Sequence, residues 1–264
     1  MSDRSPEEIR ATVLSKLAQF KRKSWKPLVR EGEDIPASSK FGGTPVLCHG
    51  ESWPLCGACQ SPMRFFFQLD SQDLPSTEVQ IFGNGILQLF YCSSYECDVH
   101  SDHPARFPFN PRVLVRIIDR DLVTSEVIEP KMTDPFHYDW KIEDNFFRAR
   151  FIVDWEEIDD YANFIERERL EFYLNDYDDD FEIDDDEEYN LAHDLSYPKD
   201  KLSGWPDWCN GKELVECPSC QREMNFIFQL ASEDNLPYCW GDVDNEFIFQ
   251  CPEHREQITY IWGC

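Results

Sequence analysis

The sequence predicts an α+β protein, mainly antiparallel β, made of two tandem related halves, each stapled by a zinc-knuckle-like cysteine site, with an N-terminal helix. Three observations carry that expectation. A 14-residue stretch occurs twice, CGACQSPMRFFFQL at 56–69 and CPSCQREMNFIFQL at 217–230. In both copies apolar residues alternate, the period of a strand with one buried face. Each copy also carries two cysteines at the spacing of a metal knuckle, with further cysteine or histidine downstream.

Residues 6–22 are expected to be helical. Ser5-Pro6-Glu7-Glu8 reads as a capping box with proline at the first helical position, and Ile9, Val13, Leu17 and Phe20 share a face that packs on the body of the protein. The repeat follows at a constant offset of 161 positions, Cys56 matching Cys217. Both copies fit G-x-P-x10-C-x2-C-Q-x2-M-x-F-x-F-Q-L without a gap, from Gly43 and from Gly204. Met63, Phe65, Phe67 and Leu69 mark the first strand of one half, and Met224, Phe226, Phe228 and Leu230 that of the other. Turn-rich stretches at 82–85 and 240–245 lead into second runs, 86–92 and 247–251, ending in Cys92 and Cys251. Antiparallel pairing would bring the thiols together. Between the copies, Val113–Ile118 and Phe146–Val153 are expected strands. The organisation is then a helix and linker at 1–37, a first half at 38–153, an acidic aromatic connection at 154–200 and a second half at 201–264.

The N-terminus, MSDRSPEEIR, has no apolar core like that of a secretory signal, and no stretch reaches the roughly 20 apolar residues of a membrane helix. A cytoplasmic location is expected, where the 11 cysteines stay reduced. Cys56, Cys59, Cys92 and Cys97 form a thiolate set for zinc, which favours soft sulfur and has no directional preference. In the second half His254 completes Cys217, Cys220 and Cys251, with Cys264 as the competing fourth ligand. His100 and His103 could replace Cys97 in the first. Two structural Zn2+ sites are the expectation, because four protein ligands leave no position for a water. A redox CxxC of the thioredoxin type needs a βαβ setting, and none is visible. Cys48, Cys209 and Cys239 fall outside both sets and are expected as buried apolar residues.

Asp and Glu total 52 against 25 Lys and Arg, a formal charge of -27. Such a surface repels a phosphate backbone, so direct nucleic-acid binding is not expected, and it steers basic proteins toward it. There is no GxSxG, phosphate loop, dinucleotide fingerprint or HExxH, and His49, His137 and His193 read as structural. Carboxylates are too abundant for any two to be singled out as acid and base, so nothing argues for an enzyme. From Asp154 to Glu188 there are 18 Asp or Glu and two Arg, interleaved with aromatic residues that a solvating tail would lack. Candidate contacts to a basic partner are Asp176, Asp178, Asp179, Asp180, Asp184, Asp185 and Asp186, with Tyr177 and Phe181 as anchors. The competing reading is a helix from about Trp155 to Leu174, followed by an acidic loop. Calcium is a weaker alternative, since no twelve-residue loop with its glycine fits the aspartates.

At the paired G-x-P, CxxCQ and MxFxFQL segments the sequence resembles the YwqG-like family and, more distantly, eukaryotic programmed-cell-death-protein-2-like proteins. The matching residues are Gly43, Pro45, Trp53, Pro54, Cys56, Cys59, Met63, Phe65, Gln68 and Leu69, then Gly204, Pro206, Cys217, Cys220, Met224, Phe228, Gln229, Trp240, Gly241 and Asp242. The resemblance implies a duplicated, mainly β architecture without recognised catalytic residues. It also implies two kinds of work. The eukaryotic relatives look like chaperones of a basic ribosomal protein, and some bacterial members accompany toxin systems in which an immunity protein neutralises a toxin. Many members lack the cysteines, and the charge here exceeds what the likeness implies, which favours a basic target. The expectation is a non-catalytic protein, monomeric when free, that clamps a basic partner as an immunity protein blocking the phosphate-binding groove of a nuclease toxin. The alternative is a dedicated chaperone of a basic, ribosomal-type client.

Overall fold

The computed structural model describes residues 5–94, 97, 106–124, 126–128, 130, 147–170, 195–208, 211, 214–241 and 243–263. Helix α1 spans Pro6–Leu17 and starts at the expected capping box, Glu8 N donating to Ser5 Oγ and Ser5 N to Glu8 Oε2. Val13 and Leu17 are buried, with Ile9 and Phe20 packed beside them. The helix stops short of residue 22. A 3-10 turn at Ala18–Phe20 ends it, and Lys21–Glu31 is strand β1.

The other strands are β2 (Lys40–Phe41), β3 (Leu47–Cys48), β4 (Arg64–Asp70), β5 (Ile86–Tyr91), β6 (Val113–Ile118), β7 (Val123–Thr124) and β8 (Arg150–Tyr161). After helix α2 (Phe164–Arg169) come β9 (Lys201–Leu202), β10 (Asn225–Ala231), β11 (Asn245–Gln250) and β12 (Ile258–Gly263). One sheet runs in the order β12-β11-β10-β9-β1-β8-β2-β4-β5-β6, with β3 and β7 paired apart. Its pairings are antiparallel.

Strand β8 corrects two expectations. The strand foreseen at 146–153 begins at Arg150 and runs past Val153 to Tyr161, and the helix foreseen from Trp155 shrinks to α2, capped by Asn163. Charge explains the outcome. Lys21, Lys23 and Lys26 of β1 meet Asp159, Glu157 and Glu156 at 2.6, 2.5 and 2.9 Å. A helix would have crowded these acids on one another, whereas the strand pair gives each a cation across the ladder.

The order is symmetrical about the β1–β8 pair. Strand β1 precedes β2 in the chain yet borders β9, and β8 precedes β9 yet borders β2. The sheet curls until its end strands β6 and β12 approach each other, where Phe109 N donates to Thr259 Oγ1 at 2.6 Å. The core inside is aromatic. Phe67 and Phe228 lie 4.6 Å apart between ring centroids, Tyr238 and Trp240 4.3 Å, and Tyr91 and Tyr260 6.3 Å.

The 161-residue offset recurs in the hydrogen bonds. Lys40 and Lys201, both fully buried, bond Asp34 at 2.5 Å and Asp160 at 2.9 Å. Thr44 N and Trp205 N donate to the same two carboxylates at 2.5 and 2.8 Å. Gly43 and Gly204 stand between with φ of +73° and +85°, and a Cβ there would lie 2.7 and 2.3 Å from the carboxylate oxygen. That contact is why the G-x-P element starts with glycine. Gln68 and Gln229 accept from Val46 N and Asp207 N and donate to Ser38 O and Lys199 O. The ladders also slip at matching places, between Phe65 and Phe67 and between Phe226 and Phe228.

Candidate metal centres

Strands β4 and β10 are each entered through a CxxC turn. Cys56 N donates to Ser61 O at 2.8 Å and Gln60 N to Cys56 O at 2.9 Å, with Gln60 at φ 62°. The second turn repeats this: Cys217 N to Arg222 O at 2.9 Å, Gln221 N to Cys217 O at 2.8 Å, and Gln221 at φ 59°. Antiparallel pairing then returns β5 and β11 to the turns, so that Cys92 and Cys251 arrive beside the pairs.

The resulting distances test the fit of a cation. Cys56 and Cys97 have sulfurs 3.9 Å apart, and Cys59 and Cys92 3.6 Å. In the other group Cys220 and Cys251 are 3.7 Å apart, and His254 Nδ1 is 3.8 Å from Cys217 and 3.7 Å from Cys251. A disulfide would bring sulfurs to about 2.05 Å. Thiolates at the corners of a tetrahedron, about 2.3 Å from a central ion, stand about 3.8 Å apart. Cys56, Cys59, Cys92 and Cys97, and separately Cys217, Cys220, Cys251 and His254, therefore match a four-coordinate ion in both spacing and donor type.

Electrostatics point the same way. The neighbouring Cys92 thiol holds Cys56 down to about 5, while Cys92 itself rises by that same contact and burial pushes Cys97 up to about 12. Among these three, ionisation of Cys56 disfavours that of its neighbours, a cost that a bound cation would relieve. In the second group burial works against the Cys251 thiolate, but the backbone N–H groups of His254 and Glu253 outweigh it and lower the thiol to about 6.

A family model described as Domain of unknown function (DUF1963) matches residues 39–253. The chain belongs to this family. Comparison with curated proteins gives no match. The DUF1963 span runs from the residue before β2 to the residue before His254, so it takes in seven of the eight candidate ligands.

Other expectations fall as follows. His100, His103, Cys209 and Cys264 lie outside the described residues, and among those described the fourth ligands are Cys97 and His254. Asp176, Tyr177, Asp178, Asp179, Asp180, Phe181, Asp184, Asp185 and Asp186 also lie outside them, as do His137 and His193. Cys48 and Cys239 are half-buried rather than buried, Cys48 because its two-residue strand β3 lies apart from the main sheet. The pair of the buried Lys40 with the partly exposed Asp34, and the fully buried Lys201–Asp160 pair, were missed. Their signal was available, since Lys40 and Lys201 share the repeat offset and stand three residues before the paired glycines.

Proposed function

We propose that this DUF1963 protein is a non-catalytic binding protein that clamps a basic protein partner, foremost as an immunity protein that fills the phosphate-binding groove of a nuclease toxin. One observation carries the reading: the acidic residues of the sequence are concentrated in one stretch. Lysines of β1 and Lys201 answer the acids of β8. Residues 171–188 alone hold 11 Asp or Glu and no Lys or Arg within the stretch. A cationic groove that binds phosphates meets its complement in the carboxylates from Asp176 to Asp186, with Tyr177 and Phe181 as anchors.

The scaffold behind that surface is read as two tandem related halves, 38–153 and 201–264, preceded by a helix and linker at 1–37 and joined through 154–200. The offset shared by motif, glycine and buried-glutamine bonds supports this reading, and so does the YwqG-like resemblance. Zinc is the ion proposed for both centres, because thiolate and imidazole donors in a tetrahedron suit it. Its work is to tie each CxxC turn to the neighbouring strand. Metal analysis of the purified protein should find about two zinc ions per chain. Among the described residues no helix is long and apolar enough to cross a membrane, and the proposed setting is the cytoplasm, with the free protein monomeric.

The test is affinity capture from the native cell at low salt. A basic protein should co-purify, and its retention should fall as salt rises. Asparagine at Asp176, Asp178, Asp179, Asp180, Asp184, Asp185 and Asp186 should release it. Recovery of no basic protein, or undiminished retention by the asparagine variant, overturns the proposal. Inhibition of nuclease activity in the captured protein marks immunity, and capture without inhibition marks a chaperone.

A further inference from the structure

We infer that the trough beside the β1–β8 pair is a docking groove for an extended cationic segment of a protein, one presenting arginine or lysine next to an apolar residue. The inference rests on the basic-partner reading and deepens it, by placing a contact on the folded body. The trough has a volume of about 760 Å³ and opens between these strands, the segment before β2 and the loop after β4.

Trp25 and Trp155 line it from neighbouring strands. Both indole N–H groups are already engaged, Trp155 Nε1 donating to Asp73 O at 2.8 Å and Trp25 Nε1 to Glu78 Oε1 at 3.4 Å. Each ring is partly buried against the core, and the part that lines the trough offers aromatic surface that attracts guanidinium or ammonium. Ile35, 58% exposed, and Val153, 51% exposed, supply an apolar wall. Glu33, Asp73 and Asp154 line the same trough against a single cation, Arg30. A second hollow of about 500 Å³ shares Gly32 with the first and is lined by Arg148 together with Glu31 and Asp34, the latter two lying near Arg150 and Lys40. Aromatic faces, exposed aliphatic groups and surplus carboxylate in one long depression favour a cationic, partly apolar peptide over an anion or a compact neutral ligand.

The probe is a fluorescein-labelled, end-capped octapeptide alternating arginine with leucine, titrated against the full chain by fluorescence anisotropy. A peptide with glutamate in place of arginine serves as control. The arginine peptide should bind and the glutamate peptide should not. The double variant Glu33→Gln, Asp154→Asn and the single variant Ile35→Arg, all at exposed positions, should each weaken binding about tenfold with an unchanged circular dichroism spectrum. Asparagine substitution from Asp176 to Asp186 should leave the peptide affinity as it was. Unchanged affinity in the trough variants, or loss of affinity only in the asparagine variant, overturns the groove while leaving the basic-partner reading intact. Equal binding of both peptides, or of neither, overturns the groove alone, and the capture experiment decides the broader reading separately.

Discussion

Ser39 and Asp200 occupy matching positions, and each anchors the strand behind it through a side-chain oxygen. Ser39 Oγ accepts from Asp70 N at 2.8 Å and donates to Asp73 Oδ2 at 2.7 Å. Asp200 Oδ1 accepts from Ala231 N at 2.6 Å, and Asp234, the counterpart of Asp73, accepts from Asp200 N at 3.1 Å. Burial, and then the charge of Asp234, push the Asp200 carboxyl up to about 7 from 3.8. The folded state therefore binds this proton more tightly than the unfolded chain. The stability it contributes is fully present below the ordinary value and is lost as pH rises through about 7. Asp200→Ser installs the residue of the other copy and should flatten that dependence. Compared with the parent protein, the variant should gain about 2–3 kcal/mol on going from about pH 5 to about pH 8. Denaturant unfolding at the two pH values measures this, and the difference between the proteins cancels the separate pH dependence of metal binding. A constant offset would rule out Asp200 as the source.

At the scale of elements, ion pairs of two kinds join the strands, and their environments set their worth. The Lys23–Glu157 pair is half exposed on both sides, so solvent screens it, and Glu157→Gln should cost under about 1 kcal/mol, with even that small cost shrinking in salt. Asp160 and Lys201 are fully buried, and Asp160 also accepts from Trp205 N and Tyr197 N. Asp160→Asn leaves a buried ammonium short of its counter-charge and should cost on the order of 3–5 kcal/mol. Unfolding curves for the two variants side by side test the ranking, and similar losses would contradict it. The CxxC turns are the other joining device. Cys59 is the half-exposed member of its candidate set, so replacing it removes a candidate ligand without opening the core. Cys59→Ser should lower metal content by about one ion per chain and depress the melting temperature, whereas the other centre keeps its ion. Loss of both ions at once would show that the centres are not independent.

The whole molecule is interlaced. Strand β1 lies against β9 and β8 against β2, so each borders strands distant from it in the chain, and the aromatic core draws Phe66, Phe67 and Tyr91 together with Phe228, Trp240 and Tyr260. The residues before 149 and those after 150 share one apolar core. Fragments 1–149 and 150–264 expressed separately should be insoluble, and co-expression should restore a complex that co-purifies. A well-folded fragment 1–149 by itself, with dispersed amide resonances, would show that the exchange of leading strands is not needed for folding.

Much of this was legible in the residues taken in order. The capping box at Ser5, the strands that follow Met63 and Met224, the strand at Val113–Ile118 and the eight candidate ligands are visible in sequence patterns, because caps, strand runs and ligand pairs are set by neighbours a few positions apart. The expected single buried face is not found, since the first of these strands is buried on both sides. What the residue order hid was β1 and the extension of β8. Their charged sequences look like linker or helix until each strand meets the other some 130 residues away, where lysine faces carboxylate. Asp200, Asp160 and the Trp25–Trp155 trough likewise acquire their character only from burial and from chain segments brought alongside. Local propensity and ligand spacing are written residue by residue. Desolvation and long-range charge pairing exist only once distant strands have come together in the sheet.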